Sequence, residues 1–451
     1  MPDSVLPGMP VLLAAGREEA LRPLLVQLIV IILAARAGAA VARWLRQPSV
    51  VGEIVAGLVL GPSVFGALAP DWFAAVFGRG AGGTAVALEA SLTSFSQVGL
   101  VLLLFMIGIE FDFSHVRREG RTAAAVSVAG VALPFALGLG LAWLMAPRLE
   151  ALGATGPIDP RSFALFLGTA MSITAIPILG RILIEMGLQH TALGALVIAA
   201  AACDDAVGWT LLAAVSALAT GNFEPAAIAR MVGATLAFAA AMLLVVRPLL
   251  LPRLERAVAG DGEPRLSLGV LSALLAVLFA AAWVTSRIGI FAIFGAFLLG
   301  AALSGVPRVR EAVTRHLSDF VTVFFLPIFF TFTGLRTNVG SLDSPEAWGW
   351  CAAVFAVAVI GKWGGCGLAA RLSGVPAGEA ACVGVLMNTR ALMELIVINV
   401  GMDLGVIPPA AYCMLVLMAI GTTVMATPLA ARLLRGTPHE ATLAARGFLR
   451  G

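Results

Sequence analysis

Residues 200–209 read AAACDDAVGW, so two adjacent carboxylates, Asp204 and Asp205, lie inside an apolar segment that extends from Ala192 to Ala219. Neighbouring side chains on a helix point about 100° apart, so the two aspartates cannot share one partner equally. Ionisable residues within a membrane span are costly and usually mark an ion or substrate pathway. We therefore expect one aspartate to face a cavity that a cation can enter and the other to pair with an opposite charge. A purely structural role, in which a paired carboxylate joins helices, is a good explanation for one of the two aspartates. It is a poor explanation for both together.

The single lysine of the chain is the second unusual feature. Among the 29 basic residues, 28 are arginine and one is Lys362, which lies within the apolar run 352–366. Arginine stays protonated, whereas a buried lysine can lose its proton. The retention of one lysine therefore indicates a need for an amine that titrates, with a lysine that snorkels to the interface as the alternative. Lys362 is the candidate partner of one of the two aspartates.

The overall composition indicates a polytopic membrane protein. The 451 residues are 60% hydrophobic and 12% charged, with a mean hydropathy of +0.99, whereas soluble domains carry about 25% charged residues. The net charge of +3 and the scattering of the arginines in short clusters argue against nucleic acid as a partner. The five cysteines fall within apolar runs at no metal-ligand spacing, so we expect buried thiols, no disulfide framework and no cofactor: Cys203, Cys351, Cys366, Cys382 and Cys413.

Thirteen apolar runs reach the length of about 17 to 25 residues that crosses a bilayer. They lie near residues 22–42, 49–68, 93–111, 122–146, 161–186, 190–219, 225–250, 266–286, 289–305, 317–335, 347–370, 376–401 and 406–433. When the loops are assigned alternately to the two faces, 17 arginines fall on one face and 8 on the other. The positive-inside rule then places the C-terminus in the cytoplasm and the N-terminus outside. We expect an integral protein of a bacterial inner membrane.

The two ends of the chain are expected to be short tails. Residues 1–21 lack a basic region ahead of their apolar stretch, so we interpret them as an external tail and not as a cleaved signal peptide. Residues 435–451 are interpreted as a short cytoplasmic tail without a regulatory domain.

Two of the predicted spans are interrupted near their middle. The fifth contains Thr174-Ala175-Ile176-Pro177 and the twelfth contains Asn388-Thr389-Arg390. The two spans are seven segments apart, so the second runs through the membrane in the opposite direction, as in transporters built from inverted repeats. Two pairs of short sequences share this offset, AGLVLG with GAFLLG and GIE with GLR, although small-residue patterns also recur by chance in membrane helices. We predict repeats at 22–219, with core motifs at 161–219, and at 263–434, joined by a linker helix and loop at 220–262.

The interrupted spans offer oxygen ligands for a hard monovalent cation. Pro177 removes a backbone donor and frees carbonyls, and such irregular backbone is tolerated at membrane depth where it lines a cavity or is buried in protein. Thr174 and Ser172 add hydroxyl oxygens beside the expected cavity. On the twelfth span Arg390 and Glu394 stand four residues apart, so they can neutralise each other or the exposed helix ends. We interpret that pair first as scaffold and second as part of ion coupling.

Six motifs in order give the chain a family resemblance that extends from about residue 25 to residue 433. They are QPSVVGEI at 47–54 with Gly57 and Gly61-Pro62, LFMIGIE at 104–110, TAIP at 174–177, the pair Asp204-Asp205, LPIFF at 326–330 and NTRALMEL at 388–395. Together they resemble the monovalent cation:proton antiporter-2 family, which contains Kef-type potassium/proton exchangers, bacterial sodium/proton antiporters and plant cation/proton exchangers. The resemblance implies a transporter and not an enzyme.

The resemblance also implies an architecture and a role for each carboxylate. In such families a homodimer holds one domain fixed while a core domain with two crossed, discontinuous helices moves the ion by elevator-like alternating access. Carried over, Asp205 would bind either a monovalent cation or a proton. Asp204 would pair with Lys362 and is the second candidate ligand for the cation. The adjacent Asp-Asp form is associated with electrogenic exchange.

The expected function is therefore the exchange of sodium or potassium for protons across a lipid bilayer. The sequence leaves the two cations open, with a weak preference for sodium, because cavity dimensions discriminate between them. A Kef-type potassium/proton efflux system and an ion-coupled organic anion symporter are the main alternatives. A channel-like pathway and a non-transporting sensor explain the paired aspartates less well.

Overall fold

The computed structural model describes residues 9–45, 47, 49–77, 83–110, 120–154, 156–174, 176–189, 191–219, 225–259, 263–289, 291–390, 392–446 and 448. All of the regular structure within these ranges is helical. The helices are α1 Met9–Trp44, α2 Ser49–Leu60, α3 Phe65–Leu68, α4 Pro70–Phe77, α5 Gly83–Glu110, α6 Gly120–Met145, α7 Pro160–Ser172, α8 Ile176–Met186, α9 Ala192–Ala219, α10 Pro225–Ala241 and α11 Arg247–Ala257. They continue with α12 Leu268–Ile288, α13 Ala292–Leu303, α14 Pro307–Phe320, α15 Leu326–Arg336, α16 Pro345–Val359, α17 Gly365–Leu372, α18 Ala377–Met387, α19 Leu392–Asp403, α20 Pro409–Leu433 and α21 Glu440–Ala445.

The membrane spans follow the hydropathy of the sequence. In the described ranges, ten helical segments are long and apolar enough to cross a membrane, and each matches one of the thirteen predicted runs. The run near 289–305 is the short helix α13, and the runs near 161–186 and 376–401 are the helix pairs α7–α8 and α18–α19. The all-α polytopic fold is confirmed, and thirteen is an approximate number of spans.

Both predicted interruptions are real breaks in the backbone. Helix α7 ends at Ser172, and Ile173 is extended at φ −88° and ψ 143° before α8 begins at Ile176. Pro177 lies in the first turn of α8, where a missing N–H costs nothing, so the backbone break precedes this proline. Its side chain, like residue Ala175, lies outside the described part of the structure. Helix α18 ends at Met387, and α19 begins at Leu392.

The start of α7 is fixed by a side-chain cap. The carboxylate of Asp159 accepts hydrogen bonds from the backbone N–H groups of Arg161 and Ser162, at 3.3 and 3.0 Å, and from the Ser162 hydroxyl at 2.8 Å. The hydroxyl bond, with smaller contributions from the backbone N–H groups, lowers the pKa of Asp159 below its ordinary value. The charged cap satisfies donors that the first helical turn leaves free.

The extensive helix contacts fall into two sets. One set, the panel bundle, contains α1, α2, α5, α12, α13 and α15, and the other, the site bundle, contains α6, α7, α9, α16, α17, α18, α19 and α20. Contacts between the two bundles are sparse and include α2 against α20. Close glycine approaches join the panel helices, because a Cβ at Gly300 or Gly108 would fall on the backbone of the facing helix. Gly57 and Gly334 stand in the same relation between α2 and α15.

Replacing Gly300 by alanine tests this close packing. The added Cβ of Gly300→Ala would fall on the carbonyl oxygen of Phe105, so α5 and α13 must separate. Overpacking of this kind costs about 1–3 kcal/mol, and we expect a lower melting temperature of the purified protein in detergent. The matched control is Gly349→Ala, because the new Cβ in α16 meets open space and a helical glycine gains about 0.5–1 kcal/mol on this change. Equal melting temperatures for the two variants would contradict the packing.

Candidate ion-binding site

A buried ion pair lies at the centre of the site bundle. The Nζ of Lys362 is 2.5 Å from Oδ2 of Asp204, and both side chains have 0% exposure. Lys362 lies in a π-helical turn, Ile360–Gly364, that joins α16 to α17. Removing two charges from water is favourable only when their geometry is good and their other polar atoms are hydrogen bonded. The stability of the Asp204–Lys362 pair therefore depends on the hydrogen bonds that neighbouring groups make to it.

Glycines bring α6 against the turn that carries the lysine. A Cβ at Gly361 would lie 2.9 Å from Cα of Pro134, and one at Gly365 would lie 2.9 Å from the carbonyl oxygen of Ala129. A Cβ at Gly130 would lie 3.6 Å from Nζ of Lys362. Single π turns often occur at functional positions in helices. Here the turn and the glycines fix the height and direction of the ammonium group.

Asp205 is buried beside this pair but is not part of it. Its exposure is 1%, and within the described ranges its Oδ1 has no hydrogen-bond partner. Oδ1 of Asp204 is also unpartnered in that part of the chain. A buried carboxylate oxygen without a partner is costly, so its presence needs a functional explanation.

Thr174 connects the two breaks. Its hydroxyl oxygen lies 2.8 Å from Oδ2 of Asp204 and 3.0 Å from the carbonyl oxygen of Met387, the last residue of α18. A hydroxyl has one hydrogen to donate, so it serves the carboxylate or the carbonyl at a given moment. Thr174 is fully buried. One side chain from the first break thus touches both an aspartate and the second break.

Two cations neutralise the C-terminal end of α7. Lys362 donates from Nζ to the carbonyl oxygen of Ser172 at 2.5 Å. Arg390 donates to the carbonyl oxygen of Ala170 at 3.0 Å and to that of Met171. The last carbonyls of a helix lack intrahelical partners and carry the negative end of its dipole, which favours cations. The Ser172 hydroxyl donates to the Thr169 carbonyl at 2.9 Å, so it closes the same helix end.

The second break is built mainly from residues of α18 and α20. Thr389 donates its hydroxyl to the Leu386 carbonyl at 2.8 Å, and Asn388 accepts from Nε of Arg390 at 3.4 Å. The backbone N–H of Arg390 donates to the Thr423 hydroxyl oxygen at 3.1 Å, and that hydroxyl donates in turn to the Arg390 carbonyl. In the described structure, Nδ2 of Asn388 has no partner.

Glu394 forms the expected pair with Arg390, but at a longer distance. Oε2 of Glu394 lies 3.7 Å from NH1 of Arg390, and both residues are buried. Neither oxygen of Glu394 has a hydrogen bond within the ranges that the structure describes. The shorter contacts of Arg390 are with the carbonyl oxygens at the end of α7. The guanidinium therefore interacts more strongly with that helix end than with the carboxylate of Glu394.

Sequence reasoning located the charged residues of the site but missed several of their supports. It did not identify Thr423, the carbonyl of Met387 or the π turn around Lys362. A threonine within an apolar helix carries no distinctive sequence signal, and carbonyl contacts depend on the fold. The glycines at 361, 364 and 365 are the available hint that the backbone near Lys362 is irregular or closely approached.

These features describe a membrane protein with two discontinuous helices that meet around buried carboxylates. Residues 29–436 match the transmembrane family described as sodium/hydrogen exchanger. The chain belongs to the sodium/hydrogen exchanger family.

Known proteins similar to this chain include transporters from several organisms. It is 37% identical over 424 residues to the Na(+)/H(+) antiporter NhaS4 of Synechocystis sp., with 92% of this chain and 98% of that protein covered. It is 35% identical over 415 residues to Cation/H(+) antiporter 17 of Arabidopsis thaliana, where 91% of this chain matches 48% of the plant protein. The chain thus spans about half the length of that plant relative.

A solved structure shares the fold. The sodium proton antiporter MjNhaP1 from Methanocaldococcus jannaschii superimposes with a TM-score of 0.62 at 14% sequence identity. The match covers 95% of this chain and 100% of the archaeal chain.

A double-mutant cycle on Asp204 and Lys362 tests the buried pair. Lys362→Met leaves an uncompensated buried carboxylate, and Asp204→Asn leaves an uncompensated ammonium group. Each change is expected to destabilise by about 3–5 kcal/mol. The double variant removes both charges. Its loss of unfolding free energy should therefore be smaller, by about 0.5–3 kcal/mol, than the sum of the losses in the two single variants. Thermal unfolding in detergent measures this, and additive losses would contradict the pairing.

Proposed function

We propose that the chain is a secondary active antiporter that exchanges a monovalent cation, sodium or potassium, for protons. The observation that carries the proposal is Asp205, a buried carboxylate with an unpartnered oxygen. It follows Asp204 of the Asp204–Lys362 pair in sequence and lies on α9, which packs against the broken helices. The family membership and the printed names of the relatives support the same activity. Asp205 is the proposed ligand of both transported ions.

Exchange follows from competition for one carboxylate. A hard monovalent cation loses its hydration shell in the site, and the charged carboxylate compensates for that loss together with nearby hydroxyl and carbonyl oxygens. Once Asp205 is protonated it is uncharged, so it no longer stabilises the cation. Cation and proton therefore occupy the site alternately. Lower pH should weaken the apparent affinity for the cation.

The Asp204–Lys362 pair provides a second titratable group. In the proposed cation-loaded state, Asp205 holds the cation, and Lys362 is neutral because the cation has weakened its pairing with Asp204. In the proton-loaded state, Asp205 is neutral and Lys362 is an ammonium paired with Asp204. The site has a net charge of about −1 with the cation bound and about 0 with the protons bound. The two states thus differ by one elementary charge, because two protons are exchanged for one monovalent cation. Membrane potential then biases transport by about 2.3 kcal/mol per 100 mV.

Alternating access is proposed to occur by movement of the site bundle against the panel bundle. All of the proposed ion-binding residues lie in the site bundle, and its contacts with the panel bundle are sparse. A cavity of about 130 Å³ also lies between α9, α10 and α13. This cavity opens to the surface beside Leu236, so α9 of the site bundle and α13 of the panel bundle are not packed directly against each other there. The panel bundle is proposed to form the homodimer.

We also propose a branch of the family, a repeat organisation and an orientation for the chain. We assign the chain to the monovalent cation:proton antiporter-2 branch on its adjacent Asp-Asp pair and on its similarity to plant cation/proton antiporters. The sequence pattern supports a proposed pair of inverted repeats at 22–219 and 263–434, a linker at 220–262 and a cytoplasmic C-terminus. Potassium is the second candidate cation, because the K(+)/H(+) antiporter 1 of Saccharomyces cerevisiae is 29% identical over 386 residues.

Asp205→Asn should abolish exchange. An amide is not ionised and cannot alternate between proton and cation, so sodium- or potassium-dependent proton flux in reconstituted vesicles should fall to the protein-free level. Stabilisation of the purified protein by added cation should disappear as well, because a ligand stabilises the state to which it binds. The matched control is Asp343→Asn, which changes an exposed carboxylate before α16. Proton flux that persists in Asp205→Asn would refute the assignment.

Lys362→Arg should uncouple transport from voltage. Arginine keeps the positive charge next to Asp204, so folding is preserved, but it does not release a proton in the cycle. Cation-dependent proton flux should become insensitive to a diffusion potential imposed with a permeant ion that the protein does not transport, whereas the wild type should respond. Melting temperature serves as the folding control. Unchanged electrogenic transport by this variant would count against the role of the lysine.

A further inference from the structure

A polar cluster separate from the Asp204–Lys362 pair joins the two bundles at one surface of the protein. Arg336, the last residue of α15 in the panel bundle, donates from NH2 to Oδ1 of Asp403 at 2.5 Å and from NH1 to Oδ1 of Asn399 at 3.2 Å. Both acceptors lie on α19 of the site bundle. The guanidinium also stands 5.6 Å from the ring centre of Phe332. We call Arg336, Asn399 and Asp403 the latch.

The buried hydroxyl of Tyr412 makes further contacts between the two bundles next to the latch. Tyr412, the single tyrosine of the chain, places its hydroxyl 3.3 Å from the Thr333 carbonyl oxygen and 3.1 Å from Oδ1 of Asn399. Nδ2 of Asn399 donates to the Thr333 hydroxyl oxygen at 3.2 Å. Thr333 belongs to the panel bundle, and Asn399 and Tyr412 belong to the site bundle. Several polar contacts therefore cross a boundary that has few helix contacts.

The latch lies at the outer end of the half-helix that begins at the candidate site. Helix α19 has 12 residues, which corresponds to a length of about 18 Å and therefore to more than half of a hydrocarbon core of about 30 Å. Its first turn carries Glu394 beside Arg390, and its last residue is Asp403. The predicted loop orientation places this end on the outer face of the membrane. A movement of α19 relative to α15 must break the contacts of Arg336.

A small polar cavity lies beside the latch. Its volume is about 40 Å³, enough for a few water molecules at about 10–15 Å³ each. Its polar lining comes from α5 of the panel bundle as well as from the latch: Thr93, Ser96, Gln97, Arg336, Asn399 and Asp403. The guanidinium thus occupies the polar part of the boundary, where a passing cation would find oxygen ligands.

We propose that Arg336 is a positioning residue that closes the outer side of the pathway, and that its contacts with Asn399 and Asp403 open in every transport cycle. The proposal rests on the antiport function and on movement of the site bundle. The latch acts on the balance between the outward-closed and outward-open states and does not touch the transported ion at Asp205. Weakening it should favour the outward-open state.

The expected effect is opposite on the two sides of the membrane. The apparent affinity for a ligand scales with the population of the state that can bind it. In Arg336→Gln the apparent affinity for external sodium or potassium should rise by about 2- to 5-fold, because Asp403 is half exposed and ion pairs that reach solvent are weak. The apparent affinity for the same cation on the cytoplasmic side should fall. A change that merely damaged the fold would lower both.

The experiment compares cation-dependent proton flux in right-side-out and inside-out membrane vesicles that carry the full chain. Arg336→Gln, Asp403→Asn and their double variant should shift both affinities in the stated directions, and the double variant should shift them no further than the stronger single change. Tyr412→Phe, which removes one hydroxyl, should shift them in the same directions by less. The control is Arg287→Gln, an exposed arginine in the last turn of α12, which should change neither affinity.

The outcomes separate the latch from the function on which it rests. Absence of flux from the wild type would overturn antiport and the latch together. Wild-type flux with unchanged affinities in Arg336→Gln, or with both affinities lowered, would overturn the latch alone. Opposite shifts on the two sides, with the melting temperature preserved, would support it.

Discussion

The structure depends on how an interrupted backbone is satisfied at the centre of a membrane, where water is scarce. Breaking a helix there exposes carbonyl groups that would otherwise cost several kcal/mol each. Lys362 and Arg390 meet this requirement at the end of α7, because together they contact the carbonyls of Ala170, Met171 and Ser172. Thr174 meets it at the end of α18 when its hydroxyl donates to the Met387 carbonyl and not to Asp204. The two cations that stabilise the end of α7, Lys362 and Arg390, thus lie in the same bundle as the two aspartates.

This arrangement divides the aspartates by environment. Asp204 is next to the ammonium and the Thr174 hydroxyl, so its Oδ2 has partners on two sides. Asp205 has a similar burial and, like Asp204, an unpartnered Oδ1 within the described chain, but it is not part of the pair with Lys362. Two residues of the same type, adjacent in sequence, therefore differ in what they can bind. We propose that Asp204 controls the protonation of Lys362 and that Asp205 binds the transported ion.

The sequence was sufficient for the features that hydropathy and charge determine. Apolar run length located the spans, and the motifs at 174–177 and 388–390 located both breaks, because irregular backbone in a membrane helix requires polar or proline residues. The same reasoning could not predict that the break precedes Pro177, since it depends on where α8 resumes. It also could not predict the carbonyl contacts of Arg390 or the latch of Arg336. Those contacts join residues that are 63 to 220 positions apart in sequence, so they depend on tertiary packing.

The central claim is that one buried carboxylate holds either a cation or a proton, and proton release on cation binding tests it most directly. Purified protein in weakly buffered detergent solution, titrated with sodium or potassium near neutral pH, should release about one to two protons for each cation bound. Asp205→Asn should bind no cation and release no proton. Cation binding without proton release in the wild type, or undiminished release in Asp205→Asn, would contradict the account.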